Sequence, residues 1–527
     1  MGKKGTMFYS ALLLTGANLA LRMVSMGFQV YLSGRIGAAG IGLMQLVLSV
    51  STLAMTAAMA GVRTSAMYLT AEEIGRGHGA VGRVRDTCFA YSLCFSCLMA
   101  LGVYVFAPAI AARWIGDGQT VASLRVFALF LPVVCLVGVM TGCFTAAGRI
   151  RELVVTELLE QGVCMALTVA LLANWAHHDP GRSCTAVVAG SSLSSVLTLG
   201  ILLTLWYRRR SVEEEKREPM VRRLLQVALP LAVADDLRMG INTVENLIVP
   251  RRLRLYPHSA VPLADYGIVC GMVFPVLMFP ASILFSLSEL LVPELSRCAA
   301  GKRKRRISYL TGRSLRVALL YGLAAGGVLY TSAHSLGMLL YDNPAVGVQL
   351  QKFALLAPML YVDAVTDANI KGMGQQVACV RYNTLTSFLD VVFLWILLPR
   401  YGLDGYFVSF LGTHALNFFL SVRRLRRVTG FAPDLAQVAR AVAAAAFAAW
   451  MGQLLPQAQG AGGVLFQAAG FLGLFGLAGT ALGVFTREDL AWVRGLVRPA
   501  ESGPPEPPDS AHRDRAWAAE SADRLRS

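Results

Sequence analysis

Apolar stretches of about twenty residues recur along most of this chain, and that recurrence limits the fold more than any other feature. A helix of that length crosses ~30 Å of hydrocarbon. Fourteen stretches stand out, at about 8–32, 38–62, 86–111, 121–147, 153–175, 184–207, 224–249, 264–291, 314–340, 350–371, 379–399, 402–422, 434–457 and 463–485. They are too long for barrel strands and lack two-residue alternation, so helix is the conformation that satisfies their backbone in lipid. Only 15% of the 527 residues are charged and the mean hydropathy is +0.55. The expected fold is an all-α polytopic membrane protein of about 14 transmembrane helices.

The formal charge of +16 raises the question of nucleic acid. Its placement answers against it. With the N-terminus counted as cytoplasmic, most Lys and Arg residues fall in the even-numbered connections and the termini, the positive-inside pattern. Lys302-Arg303-Lys304-Arg305-Arg306 therefore reads as a cytoplasmic anchor. Arg251, Arg252 and Arg254 are discordant, because they fall on the outer side. The first span is too long, and Arg22 too central in it, for a signal-peptide core. Cys94 and Cys97 form a lone CxxC inside a span and read as small packing residues, and His177-His178 lies in a short outer loop with no further ligands nearby.

The chain repeats itself. Phe127-Ala-Leu-Phe-Leu-Pro132 returns as Phe353-Ala-Leu-Leu-Ala-Pro358, and the same offset pairs Gly148 with Gly374. Leu21-Arg22-Met23 resembles Leu237-Arg238-Met239, and Gly40-Ile41-Gly42-Leu43 resembles Asp265-Tyr266-Gly267-Ile268. An internal duplication follows, with six spans per half. An even number makes the halves parallel repeats related by an axis along the membrane normal, with the substrate site between them. The expected organisation is an N-terminal six-helix lobe at 1–207, a charged cytoplasmic linker at 208–223, a C-terminal six-helix lobe at 224–428, two additional transmembrane helices within 429–485, and a disordered, Pro-rich cytoplasmic tail at 486–527.

Ionisable residues at bilayer depth cost about 3 kcal/mol each on insertion scales, so they point to a cavity or a partner. Span 1 carries Asn18, Arg22, Ser25 and Gln29 on one stripe, and span 7 carries Asp235, Arg238, Asn242 and Glu245, flanked by Asp236 and Asn246. Two repeat-related helices thus bring Arg22 and Arg238 to the same depth. One reading has Arg238 neutralising Asp235 and Arg22 paired elsewhere. The other is a cationic floor, where planar guanidinium groups grip phosphate. At the repeat offset, Val137, Thr141 and Thr145 become Asp363, Asp367 and Lys371. Lys371 snorkels to the interface; Asp363 and Asp367 fit either a proton or sodium coupling site or partners for the arginines. Glu157, Glu160 and Glu289 lie near the cytoplasmic face, as does Arg63 at the end of span 2. Pro275 and Pro280 predict a kink in span 8. No GxxxxGK[ST] phosphate loop and no hydrolytic triad occur, so the chain reads as a transporter without ATPase motif or cofactor, apart from a coupling H+ or Na+.

The twelve-plus-two arrangement, the Gly34-Arg35-Ile36-Gly37-Ala38-Ala39-Gly40-Ile41-Gly42-Leu43-Met44-Gln45 segment and the Phe-Ala-Leu-Leu-Ala-Pro start of span 10 resemble the multidrug/oligosaccharidyl-lipid/polysaccharide exporter superfamily, polysaccharide-transporter branch. The resemblance covers about 1–485. It implies alternating access and the flipping of an undecaprenyl pyrophosphate-type lipid-linked saccharide to the outer leaflet of a bacterial cytoplasmic membrane. It also implies a cavity lined by arginines of the first helices, a role that Arg22 matches by helix and depth and Arg63 loosely. The carboxylates at 235 and 236 depart from a purely cationic cavity. The alternatives are a cation-coupled multidrug-type antiporter using Asp363 and Asp367, and a non-transporting scaffold of the cell-wall machinery.

Overall fold

The computed structural model describes residues 3–75, 81–176, 179–208, 220–454 and 460–485. His177-His178, most of the charged linker and the 486–527 tail lie outside them, as do the side chains of Asn18 and Glu289. Among the described residues the regular elements are all helices. They are α1 Lys3–Met59, α2 Val62–Gly75, α3 Val81–Ala109, α4 Val121–Ala146, α5 Ile150–Leu171, α6 Pro180–Tyr207, α7 Met220–Leu253, α8 Pro262–Tyr266, α9 Phe274–Met278, α10 Ala281–Ala300, α11 Lys304–Thr331, α12 Ala333–Tyr341, α13 Pro344–Ala354, α14 Ala357–Gly372, α15 Gln376–Thr429, α16 Leu435–Gly452 and α17 Gly460–Ala481.

By length and composition, nine helices among the described residues suit a membrane crossing, or up to eleven with each bent pair taken as one span. The expected fourteen differs from this at three places. α1 and α15 each run through a break where two expected spans meet, at Gly37 (φ 70°, ψ 175°) and Gly402 (φ 56°, ψ −134°). Glycine reaches such angles without steric cost, and at Gly402 a Cβ would also lie 2.6 Å from the Tyr256 ring. The third place is α7, whose polar stripe keeps 34 residues of helix from reading as apolar.

Two spans are bent. α8–α9 meets α10 at 58°, beside the Pro275 and Pro280 that predicted the kink. α13 meets α14 at 55°, a bend within the stretch expected at 350–371 as a span. Pro358 stands in the first turn of α14, whereas its counterpart Pro132 lies inside an unbroken α4. A proline has no N–H to continue the ladder, and only the second copy has given way at it.

The repeat offset recurs in backbone detail. α4 ends with Gly148 N–H donating to Thr145 O (3.1 Å) and Arg149 N–H to Phe144 O (3.0 Å). α14 ends with Gly374 N–H donating to Lys371 O (2.9 Å) and Gln375 N–H to Ile370 O (3.1 Å). These are the same two closing bonds, an ending that α10 also makes through Lys302 N–H to Ala299 O and Arg303 N–H to Cys298 O (both 3.0 Å). Phe353 is fully buried among Phe274, Tyr406, Phe407 and Phe410, with ring centroids 5.4–6.1 Å away; Phe127 packs among aliphatic residues.

The largest core joins the two halves. Leu32–Val50, Ile115 and Val188 share it with Val269, Leu277, Phe353 and Phe410, at the end opposite the basic connections. At the basic end the cores separate, except that Leu224 and Ala228 of α7 join Val62, Ala66 and Val139 of the first half. α7 therefore runs as a strut along the first half. Thr243 Oγ1 donates to Ser49 O (3.3 Å), Gly61 lies against the Ala228 backbone, and Arg223 pairs with Glu72 (2.7 Å) and Glu73 (2.9 Å). The discordant arginines end this strut. Arg251 donates to Trp114 O (2.7 Å), while Arg252 donates to Trp395 O and lies 3.8 Å over the Trp395 ring. Cations there also complement the negative end of the helix dipole. The last two helices pack on α11, where the Phe471 ring occupies the space a side chain at Gly327 would need.

Candidate functional site

A helical stripe repeats every three or four residues, and on α7 this places Arg238, Asn242 and Glu245 on one wall of a polar cavity of about 200 Å³. Asp363 from α14 supplies a second wall. The two limbs of α15 supply the rest, with Asn383, Ser387 and Asp390 before the Gly402 break and Thr413, His414 and Asn417 after it. All of these belong to the second half.

The carboxylates are held mainly by neutral donors. Asn417 Nδ2 donates to Asp363 Oδ2 at 2.9 Å, leaving the buried Oδ1 without a hydrogen bond. Ser421 donates to Asp367 Oδ1 (3.3 Å) and Asn383 to Oδ2 (3.4 Å). The pairs 363–417 and 367–421 keep one spacing, so α14 and the second limb of α15 run parallel. Asp390 Oδ1 accepts from Ser409 (2.5 Å) and Thr413 (3.2 Å), and Glu245 lies near it in the wall of the same cavity. Two carboxyl groups near each other in one cavity favour a proton or a cation there. No cluster of three His, Cys, Asp or Glu residues arranged for a metal ion occurs among the described residues.

The other predicted site residues lie elsewhere. Arg22 is exposed on α1, its guanidinium 5.3 Å from the centroid of the Phe285 ring on α10. Arg63 faces Glu157. Asp235 is exposed, and Asp236 is half-buried near Tyr91 with its Oδ1 unbonded. The Arg238–Asp235 pair that one reading of the sequence offers is not formed among the described residues. Among the described residues neither Arg22 nor Arg238 has an ion-pair partner, so Asp363 and Asp367 are not their counter-charges either: Asp363 bonds to the Asn417 amide and Asp367 to the Ser421 hydroxyl and the Asn383 amide. Glu160 accepts from Ser195 (3.1 Å) within the first half.

Sequence reasoning passed over Asp390, Asn417, Thr413 and His414. Asp390 carried a usable signal, because it is the sole acidic residue in the 379–399 stretch. The neutral polar residues carried none, since Thr and Asn cost little in a helix that satisfies them locally.

A family model described as polysaccharide biosynthesis protein matches residues 9–298. Stage V sporulation protein B of Bacillus subtilis (strain 168) is 22% identical over 408 residues, covering 75% of this chain and 79% of that protein. The uncharacterized membrane protein YabM of the same organism is 21% identical over 440 residues, 81% of each chain. Among solved structures, the lipid II flippase MurJ in an inward closed conformation superposes with a TM-score of 0.67 at 11% identity, covering 92% of this chain and all of that one. An inward-facing multidrug transporter of the MATE family superposes at 0.61 and 12% identity, covering 79% and 99%. At these identities the structures establish a shared fold.

Proposed function

Because the chain belongs to the polysaccharide biosynthesis protein family, a multi-pass membrane family of flippase-like proteins, we propose that it moves an undecaprenyl-linked cell-wall or polysaccharide precursor from the inner to the outer leaflet by alternating access. The observation that carries this reading is the state of Arg22 and Arg238. Two guanidinium groups on repeat-related helices, each without a carboxylate partner among the described residues, are available to an anion. A diphosphate is the anion such a lipid carrier presents, and guanidinium binds it through paired, charge-assisted hydrogen bonds. The two halves share a core at one end and separate at the other except along α7, which suits a cleft open to the basic, cytoplasmic side.

Coupling is assigned to the cavity in the second half. Glu245 and Asp390, with the Ser409 and Thr413 hydroxyl groups on Asp390, are the groups that would take a coupling H+ or Na+, in place of the Asp363–Asp367 pair that sequence alone suggests. The same carboxylates favour the second reading, a cation-coupled antiporter, and the fold shared with multidrug transporters fits it. Reconstitution with labelled lipid-linked sugar, scored for leaflet exchange with and without proton or sodium gradients, separates the two. Exchange of the saccharide lipid supports the flippase. Gradient-driven efflux of cationic drugs with no lipid exchange supports the antiporter.

A further inference from the structure

At the basic end, α15 finishes in a second cavity, about 570 Å³, that shares no residue with the polar one. Arg423, Arg426 and Arg427 line it with Phe419, Val422 and Phe431. Gly430 (φ 69°) stops the helix and turns the chain, so that Phe431 packs against Gly312 of α11. The three arginines are exposed, and among the described residues their guanidinium groups have no hydrogen-bond or ion-pair partner. Arg424 beside them differs, being half-buried and bonded to Gln375. A positive-inside anchor explains charge at this end, but not a concave site that combines three unpartnered guanidinium groups with an aromatic and aliphatic wall.

The order along the helix identifies the occupant. Phe419, 61% exposed, and Val422 come first, toward the apolar part of the span; the arginines follow within two turns. Tail and headgroup of a membrane lipid are stacked in that same order, whereas a soluble anion has no use for the apolar step. We propose that this cavity binds an anionic glycerophospholipid, its phosphodiester held between the guanidinium groups of Arg423, Arg426 and Arg427 and its first acyl methylenes laid on Phe419 and Val422.

The test is native mass spectrometry of the purified full chain titrated with dioleoylphosphatidylglycerol, with dioleoylphosphatidylcholine as the neutral comparison. The wild type should retain the anionic lipid preferentially. R423Q/R426Q/R427Q should weaken retention by about tenfold or more, while K302Q/R303Q/K304Q, which removes as much charge from the same end, should leave it unchanged. Equal loss in the two triple variants would reduce the site to diffuse surface charge and overturn the proposal. So would equal retention of both lipids, or displacement of the lipid by millimolar inorganic phosphate. Should the first variant fail to fold, F419A with R426Q tests the same geometry: joint loss supports the site, and wild-type retention overturns it.

Discussion

Gly42 and Gly267 lie back to back where the two halves cross. A Cβ on Gly42 would stand 2.1 Å from Leu263 O, and a Cβ on Gly267 would stand 2.0 Å from Ala38 O. The contacts are reciprocal: 42 meets 263 and 267 meets 38, and the step along the chain from 38 to 263 equals the step from 42 to 267. A local two-fold relation produces that pattern, as in an isologous interface.

Neither oxygen can turn away, because both are backbone atoms. Gly42→Ala and Gly267→Ala should therefore each cost more than the roughly 1–3 kcal/mol of ordinary overpacking, seen as a fall of several degrees in unfolding temperature in detergent. Gly34→Ala, on the same helix with nothing within 4 Å of the new Cβ, should leave it unchanged or slightly raised. Equal tolerance at all three positions would contradict the crossing.

Arg22→Ala and Arg238→Ala should nearly stop leaflet exchange in vesicles, normalised to folded protein. Lysine at either position should restore part of it, since it offers charge without the planar fork. Neither change should lower stability much, because neither arginine balances a carboxylate among the described residues. Wild-type exchange in both alanine variants would remove the cationic-floor mechanism.

The nearness of Glu245 and Asp390 in one cavity predicts an ion requirement. Asp390→Asn keeps the acceptor for Ser409 and Thr413 but removes the charge that must be neutralised in the membrane. Exchange should become insensitive to the imposed H+ or Na+ gradient, while cargo binding persists. The Asp363→Asn, Asp367→Asn double variant should act more weakly, since of the two only Asp363 lines the cavity. Unaltered gradient dependence in Asp390→Asn would place coupling elsewhere.

Arg223 ties α7 to α2 through Glu72 and Glu73, and the Glu73 side chain is only 5% exposed. Arg223→Ala should destabilise by about 2–4 kcal/mol, since the buried carboxylate loses a compensating cation. The swap Arg223→Glu with Glu73→Arg should recover part of that, giving a coupling energy of about 1–3 kcal/mol in a double-mutant cycle. Additive losses would mean that the halves are not held together there.

Helices and their approximate ends were legible in the sequence because each depends on local composition and chain order. A long apolar run has one satisfactory conformation in lipid. The kink at Pro275 and Pro280 was likewise local. What the tertiary structure decided is partnership. Arg238 and Asp235 share one helix at a spacing that permits an ion pair, yet Arg238 lines the cavity and Asp235 faces out. Asp363 and Asp367, which the sequence fits to either a coupling site or charge partners for arginine, are held by Asn417, Ser421 and Asn383, residues from a helix that follows them in the chain and folds back beside them. Glu245 on α7 and Asp390 on α15 are remote in the chain and share a cavity that no periodicity encodes. Pro132 and Pro358 repeat the same residue at the same offset, but only the second breaks its helix. Burial and pairing at bilayer depth depend on which face of a neighbour arrives, and that is a property of packing, not of any one segment.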